Sequence, residues 1–170
     1  MKTRSLAAPL FVALCLAVAT PAAAQAQEVV ATHGDWIVYT YQENGQKVCY
    51  IASRPSKEEG TFKKRGEPYA TVTRRQASQG SEEVSVTAGY PFKAGSRVDA
   101  SIGGTMFSLF TENEWAWTQN DAADKQMIAA MERGHTMTVR GESQIGTNSV
   151  DTYSLKGFTA ARKAMAGACG

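Results

Sequence analysis

Trp36-Ile37-Val38-Tyr39-Thr40-Tyr41 leads into Glu43-Asn44-Gly45-Gln46, and then Lys47-Val48-Cys49-Tyr50-Ile51-Ala52 follows. Two runs of β-branched and aromatic residues joined through Asn-Gly form the strongest short-range signal for a β-hairpin. Asn and Gly accept the positive φ that a tight, correctly twisted turn requires. The same rhythm continues along the chain. Tyr69–Thr73 and Glu83–Thr87 alternate in polarity and read as half-buried strands. Further strands are expected at 97–102, 105–110, 114–118, 135–140 and 149–155, with Gly103-Gly104 as a two-residue turn. Arg54 to Pro68 is polar, contains Pro55, Gly60, Gly66 and Pro68, and reads as a loop.

Two helices interrupt this pattern. Asn120 or Asp121 can cap the first, whose face carries Ala123, Met127, Ile128 and Met131, and Gly134 stops it. The second spans about 156–168, buries Leu155, Phe158 and Met165, and carries Cys169 at its end. Strand and helix do not alternate, which disfavours a doubly wound parallel sheet. The expected class is mainly β: an antiparallel β-sandwich or partly closed barrel of about eight to nine short strands with two short helices.

The composition suits one ordinary globular domain: 170 residues, 43% hydrophobic, 20% charged and 9% aromatic. Met1-Lys2-Thr3-Arg4, the apolar stretch Leu6 to Ala19, and the small-residue sites Ala22-Ala23-Ala24 and Ala24-Gln25-Ala26 follow the order of a secretory signal peptide. The expected organisation is therefore a signal over 1–26, cleaved after Ala24 or Ala26, and one domain over 27–170. No further apolar run is long enough to span a membrane. Without Lys2 and Arg4, sixteen basic residues face sixteen acidic ones, which gives no reason to expect nucleic acid as a partner.

Export also changes the cysteine count. Cys15 leaves with the signal, so Cys49 and Cys169 remain as an even pair in an oxidising compartment. A disulfide between them would close a loop of roughly 120 residues, for which chain entropy gives at most about 5 kcal/mol. A reactive or metal-binding thiol pair is the functional alternative, and the absence of a C-x-x-C spacing weakens it.

Chemistry is sparse. His33 and His135 have no neighbours at metal-ligand spacing, and no nucleophile elbow, zinc-protease or phosphate-loop motif occurs. Catalytic, metal and cofactor residues are therefore expected to be none. Two features could serve a surface. Lys63-Lys64-Arg65 is a local basic cluster that could meet an anionic lipid or polysaccharide, although solvated loop faces are the commoner reading. Trp115 and Trp117 lie two apart on one strand face. Core packing is the simpler reading for them, and an aromatic platform for sugar or protein is the functional one.

Several stretches together resemble the invasion-associated locus B family of exported alphaproteobacterial proteins. Gly34-Asp35-Trp36-Ile37-Val38 looks like its opening strand, and Lys47 to Pro55 like its cysteine-bearing second strand. Gly89-Tyr90-Pro91-Phe92-Lys93 and Ile102-Gly103-Gly104-Thr105-Met106-Phe107 are similar to its central segments. Asp151-Thr152-Tyr153-Ser154-Leu155-Lys156-Gly157-Phe158, followed by Cys169, is the most specific piece. The resemblance runs from about residue 33 to 169. Many members carry another Cys shortly after the Gly-Asp-Trp, where this chain has Tyr39-Thr40-Tyr41.

The resemblance implies a β-sandwich-like domain in the periplasm or at the outer membrane, linked in some pathogenic members to invasion of host cells; it implies no established catalytic residues or cofactor, and none is carried over. The expected function is an exported, non-enzymatic interaction protein of the envelope, whose partner is an envelope or host protein, a lipid or a polysaccharide. A carrier of a small apolar ligand or lipid is the alternative, with a cell-wall-acting enzyme third.

Overall fold

The computed structural model describes residues 26–170, so Cys15 and all of the expected signal segment but Ala26 lie outside the described residues. Nine of the eleven strands among the described residues are those expected. The hairpin β2 (Trp36–Glu43) and β3 (Gln46–Ser53) turns through Asn44 and Gly45, both at positive φ. The others are β5 (Tyr69–Arg75), β6 (Glu82–Thr87), β7 (Arg97–Ile102), β8 (Thr105–Glu112), β9 (Trp115–Trp117), β10 (Thr136–Glu142) and β11 (Asn148–Ser154). The two additions are β1 (Glu28–His33) and β4 (Lys57–Gly60). The segment expected as a loop over 54–68 therefore contains a strand. All four residues of β4 are exposed, so pairing with β11, rather than burial, makes it a strand.

All eleven strands belong to one antiparallel sheet in the order β1-β2-β3-β5-β6-β9-β8-β7-β10-β11-β4. This order forces the sheet to roll. β3 and β4 stand eight places apart, which in a flat sheet would separate them by about 38 Å. Only Arg54, Pro55 and Ser56 join them, a reach of at most about 14 Å. The seam is held without a strand ladder: the amide of Asp35 donates to the Lys156 carbonyl at 3.0 Å, and the Trp36 indole N–H donates to the Ser154 carbonyl at 3.0 Å. The expected mainly β class is thus realised as a rolled, unclosed sheet with two helices.

Helix α1 (Asp121–Arg133) is capped by Asn120, whose side-chain oxygen accepts from the amides of Ala122 and Ala123. Its buried face is Asp124, Met127, Ile128 and Met131, so Asp124 takes a place expected to be apolar. The Asp124 carboxylate earns that position by accepting from the Val84 amide and the Thr118 hydroxyl, each at 2.7 Å, which ties α1 to β6. Gly134 ends the helix in an extended conformation, not a left-handed one. Helix α2 (Phe158–Cys169) packs on β2 and β3, with Phe158 edge-on to Trp36 at 5.0 Å. Trp36, Val38, Ile51, Val72, Leu109, Tyr153 and Phe158 all belong to one continuous core.

Candidate functional site

β2, β3, β5, β6 and β9 have two faces. Trp36, Val38, Ile51, Val72, Val84 and Ala116 point into the core. The opposite face is set by the two-residue period of a strand. It receives Ile37, Tyr39 and Tyr41 from β2, Tyr50 and Ala52 from β3, and Tyr69, Thr71 and Thr73 from β5. Glu83 and Ser85 come from β6, and Trp115 and Trp117 from β9. Together these side chains line a groove of about 810 Å³.

Register explains its shape. Ile37, Ala52, Thr71, Ser85 and Trp117 pair in turn across the five strands, so small side chains occupy the middle of one continuous row. The Thr71 and Ser85 hydroxyls bond each other at 2.7 Å in this floor. Tyr39 and Tyr50 pair in the next row and stack at 4.9 Å with an interplanar angle of 14°. On the other side of the floor, Tyr69 meets Trp115 edge-on at 5.4 Å. Trp115 and Trp117 lie nearly parallel, 6.3 Å apart at 25°, and Phe110 stacks on Trp117. The result is a trough with a floor of small residues and aromatic walls.

Its charges largely answer one another. The guanidinium of Arg54 pairs with the Glu67 carboxylate, and that of Arg75 lies 3.6 Å from Glu43 and 3.8 Å from Glu83. The phenols hold their protons. Burial, then the neighbouring Tyr39, pushes Tyr50 up to about 12. Burial, then Glu43, raises Tyr41, and burial, then Glu114, raises Tyr69.

Cys49 and Cys169 are joined as a disulfide with Cα atoms 5.9 Å apart, fastening the end of α2 to β3. Trp115 and Trp117 are only half-buried and face the trough, while Ala116 between them enters the core, which corrects the core-packing reading. The basic cluster is divided. Lys63 and Lys64 are exposed, but the Arg65 side chain is only 3% exposed, which removes it from any contact surface. It turns inward because Asp151 is buried beneath it. The guanidinium donates to Asp151, Glu58 and the Ala88 carbonyl and lies 4.1 Å over the Phe62 ring. Neither His33 nor His135 belongs to a group of three potential metal ligands, and no such group occurs among the described residues.

The four wall tyrosines escaped sequence reasoning as site residues. The available signal was the outward set Ile37, Tyr39, Tyr41 alternating with the inward set Trp36, Val38, Thr40. What it lacks is the partner strands, because Tyr69 and the two indoles arrive from distant sequence.

The sequence profile described as invasion associated locus B (IalB) protein matches residues 36–166. The chain belongs to the invasion associated locus B family. Among solved structures, it is similar to the crystal structure of invasion associated protein B from Bartonella henselae, with a TM-score of 0.61 and 15% sequence identity. That match covers 83% of this chain and 97% of the other, and at such identity it shows a shared fold. No curated protein sequence matches significantly. The matched region contains the trough residues from Ile37 to Trp117 and Cys49, but it leaves out Asp35 on the rim and stops short of Cys169.

Proposed function

We propose that this member of the family is an exported, non-enzymatic interaction protein of the bacterial envelope, periplasmic or associated with the outer membrane, and that the aromatic trough is its contact surface. The observation that carries the reading is the trough itself. A half-exposed set of Tyr and Trp beside small polar residues has the composition of binding surfaces, where large rigid amphipathic rings supply contact area at low entropic cost. Export is supported by the signal-like N-terminal segment and by a disulfide, which persists in oxidising compartments. Among the described residues no helix is long and apolar enough to cross a membrane. The contact serves maintenance of the envelope or invasion of host cells, two roles that a gene deletion would separate by its phenotype.

The test is photo-crosslinking in living cells. A photoreactive residue in place of Tyr69 should yield an adduct with a defined envelope or host component, whereas the same residue in place of the exposed Ile145, outside the trough, should not. Equal labelling from both positions, or none from either, would defeat the proposal. A second reading is favoured by the groove's volume, which lies in the range of small-molecule sites. In that reading the trough carries a small apolar ligand, and native mass spectrometry of freshly purified protein would show it bound.

A further inference from the structure

We infer that the occupant of the trough is an uncharged polysaccharide chain, an assignment that rests on the interaction reading above and names its ligand class. The small floor residues Ala52, Thr71 and Ser85 lie in one row between Ile37 and Trp117 that crosses five strands, a span of about 19 Å. An elongated ligand fits such a floor better than a compact one.

Apolar planes also lie beside unpaired donors in the trough. A sugar ring presents C–H faces and a rim of hydroxyls, so it needs both flat apolar surface and hydrogen-bonding partners at the edges. The nearly parallel Trp115 and Trp117 rings supply the apolar strip. The indole N–H groups of both, and the hydroxyls of Tyr39, Tyr41 and Tyr69, bond to no protein group among the described residues. Covering those groups with a hydrocarbon chain would leave them without partners, which disfavours a lipid tail. Covering them with hydroxyls would satisfy them.

Arg54 and Arg75 are already engaged by Glu67, Glu43 and Glu83, and Asp35 adds a further carboxylate to the rim. The trough therefore offers no uncompensated cation to an anionic chain. A peptide is also disfavoured: its backbone is best met by a free strand edge, whereas every strand of the floor is hydrogen-bonded on both sides.

The experiment is native affinity electrophoresis of the disulfide-intact mature chain in gels containing dextran, galactomannan or mixed-linkage β-glucan, with anionic alginate as the contrast. Retardation by at least one neutral polymer is expected, unaltered by added salt. Titration of that polymer should shift the tryptophan emission, because Trp115 and Trp117 are half-exposed while Trp36 is fully buried. Trp117→Ala should weaken binding at least tenfold, as order of magnitude, and Tyr39→Ala on the opposite wall should also weaken it while keeping a cooperative unfolding transition, its melting temperature lowered only by loss of the stack on Tyr50. The emission shift reads the wild-type chain, so the inference stays testable if a variant fails to fold. Retardation by alginate alone that disappears with salt, no response to any of the three neutral polymers, or binding unaffected by both variants would overturn it. If crosslinking from position 69 still captures a protein, the interaction reading survives and the polysaccharide assignment falls. If both experiments are blank, both fall.

Discussion

Arg65 and Asp151 form a buried ion pair, with side chains 3% and 1% exposed, that holds the segment after β4 against β11. Burial raises the Asp151 carboxyl above its ordinary range and the Arg65 guanidinium opposes that rise. Removing Arg65 leaves the buried Asp151 carboxylate without a cation, so Arg65→Ala is expected to cost about 3–5 kcal/mol in denaturant unfolding. Asp151→Ala should cost less, because Arg65 keeps Glu58 and the Ala88 carbonyl, and the double variant should cost clearly less than the sum. Additive losses would show that the two side chains act independently. At the same scale, Tyr50 titrates at about 12 in the fold against an ordinary 10.0. Between those values the folded chain keeps a proton that the unfolded chain releases, so stability is flat below the window and falls as pH rises through it. Absorbance titration of the phenolate band, beside unfolding curves at the same pH values, should show this, with a smaller loss in Tyr50→Phe. Residue identities on the trough were legible as strand formers. The burial of Arg65 was not, because a Lys-Lys-Arg run reads as solvated until Asp151, far along the chain, is placed beneath it.

Helix α2 shows how an element is anchored. It has no side-chain cap at its start, yet its end is held three ways. Cys169 is bonded to Cys49, the Lys47 ammonium donates to the Ala168 carbonyl at 2.8 Å, and the Arg74 guanidinium reaches the Gly170 carbonyl at 3.4 Å. The two cations complement the helix C-terminus. Cys49→Ser or Cys169→Ser is expected to lower stability by about 2–5 kcal/mol, seen as a lower melting temperature that reductant reproduces in the wild type. An unchanged melting temperature would assign the tethering to Lys47 and Arg74. The elements themselves were largely legible. Every expected strand exists; α1 lies where cap, stop and apolar spacing put it, and α2 where its buried Phe158 and Met165 put it. The two missed strands, β1 and β4, are the two edges of the sheet. Both are mostly exposed, so the burial pattern that marks a strand in sequence is missing, and only their neighbours make them strands.

The whole molecule depends on the seam where its beginning meets its end. Gly157 sits at φ +90°, and a Cβ there would lie 1.9 Å from the His33 carbonyl oxygen, in a place where backbone passes against backbone. Gly157→Ala is therefore expected to cost more than about 1 kcal/mol through strain and steric displacement together, measured as a lower unfolding midpoint. Gly45→Ala makes a useful comparison: its φ is also positive, but a Cβ there meets nothing within 4 Å, so its loss should be smaller. Hairpin chemistry, helix capping and the sulfur pair are properties of neighbours in sequence, or of a count of residue types, and the chain determined them unaided. The sheet order, the roll it enforces and the meeting of Tyr39, Tyr50, Tyr69, Trp115 and Trp117 in one trough were decided only in three dimensions. The physical reason is that a strand's two-residue period says which side chains share a face but not which strand lies beside it. That choice is made by packing and ladder pairing between segments far apart in the chain.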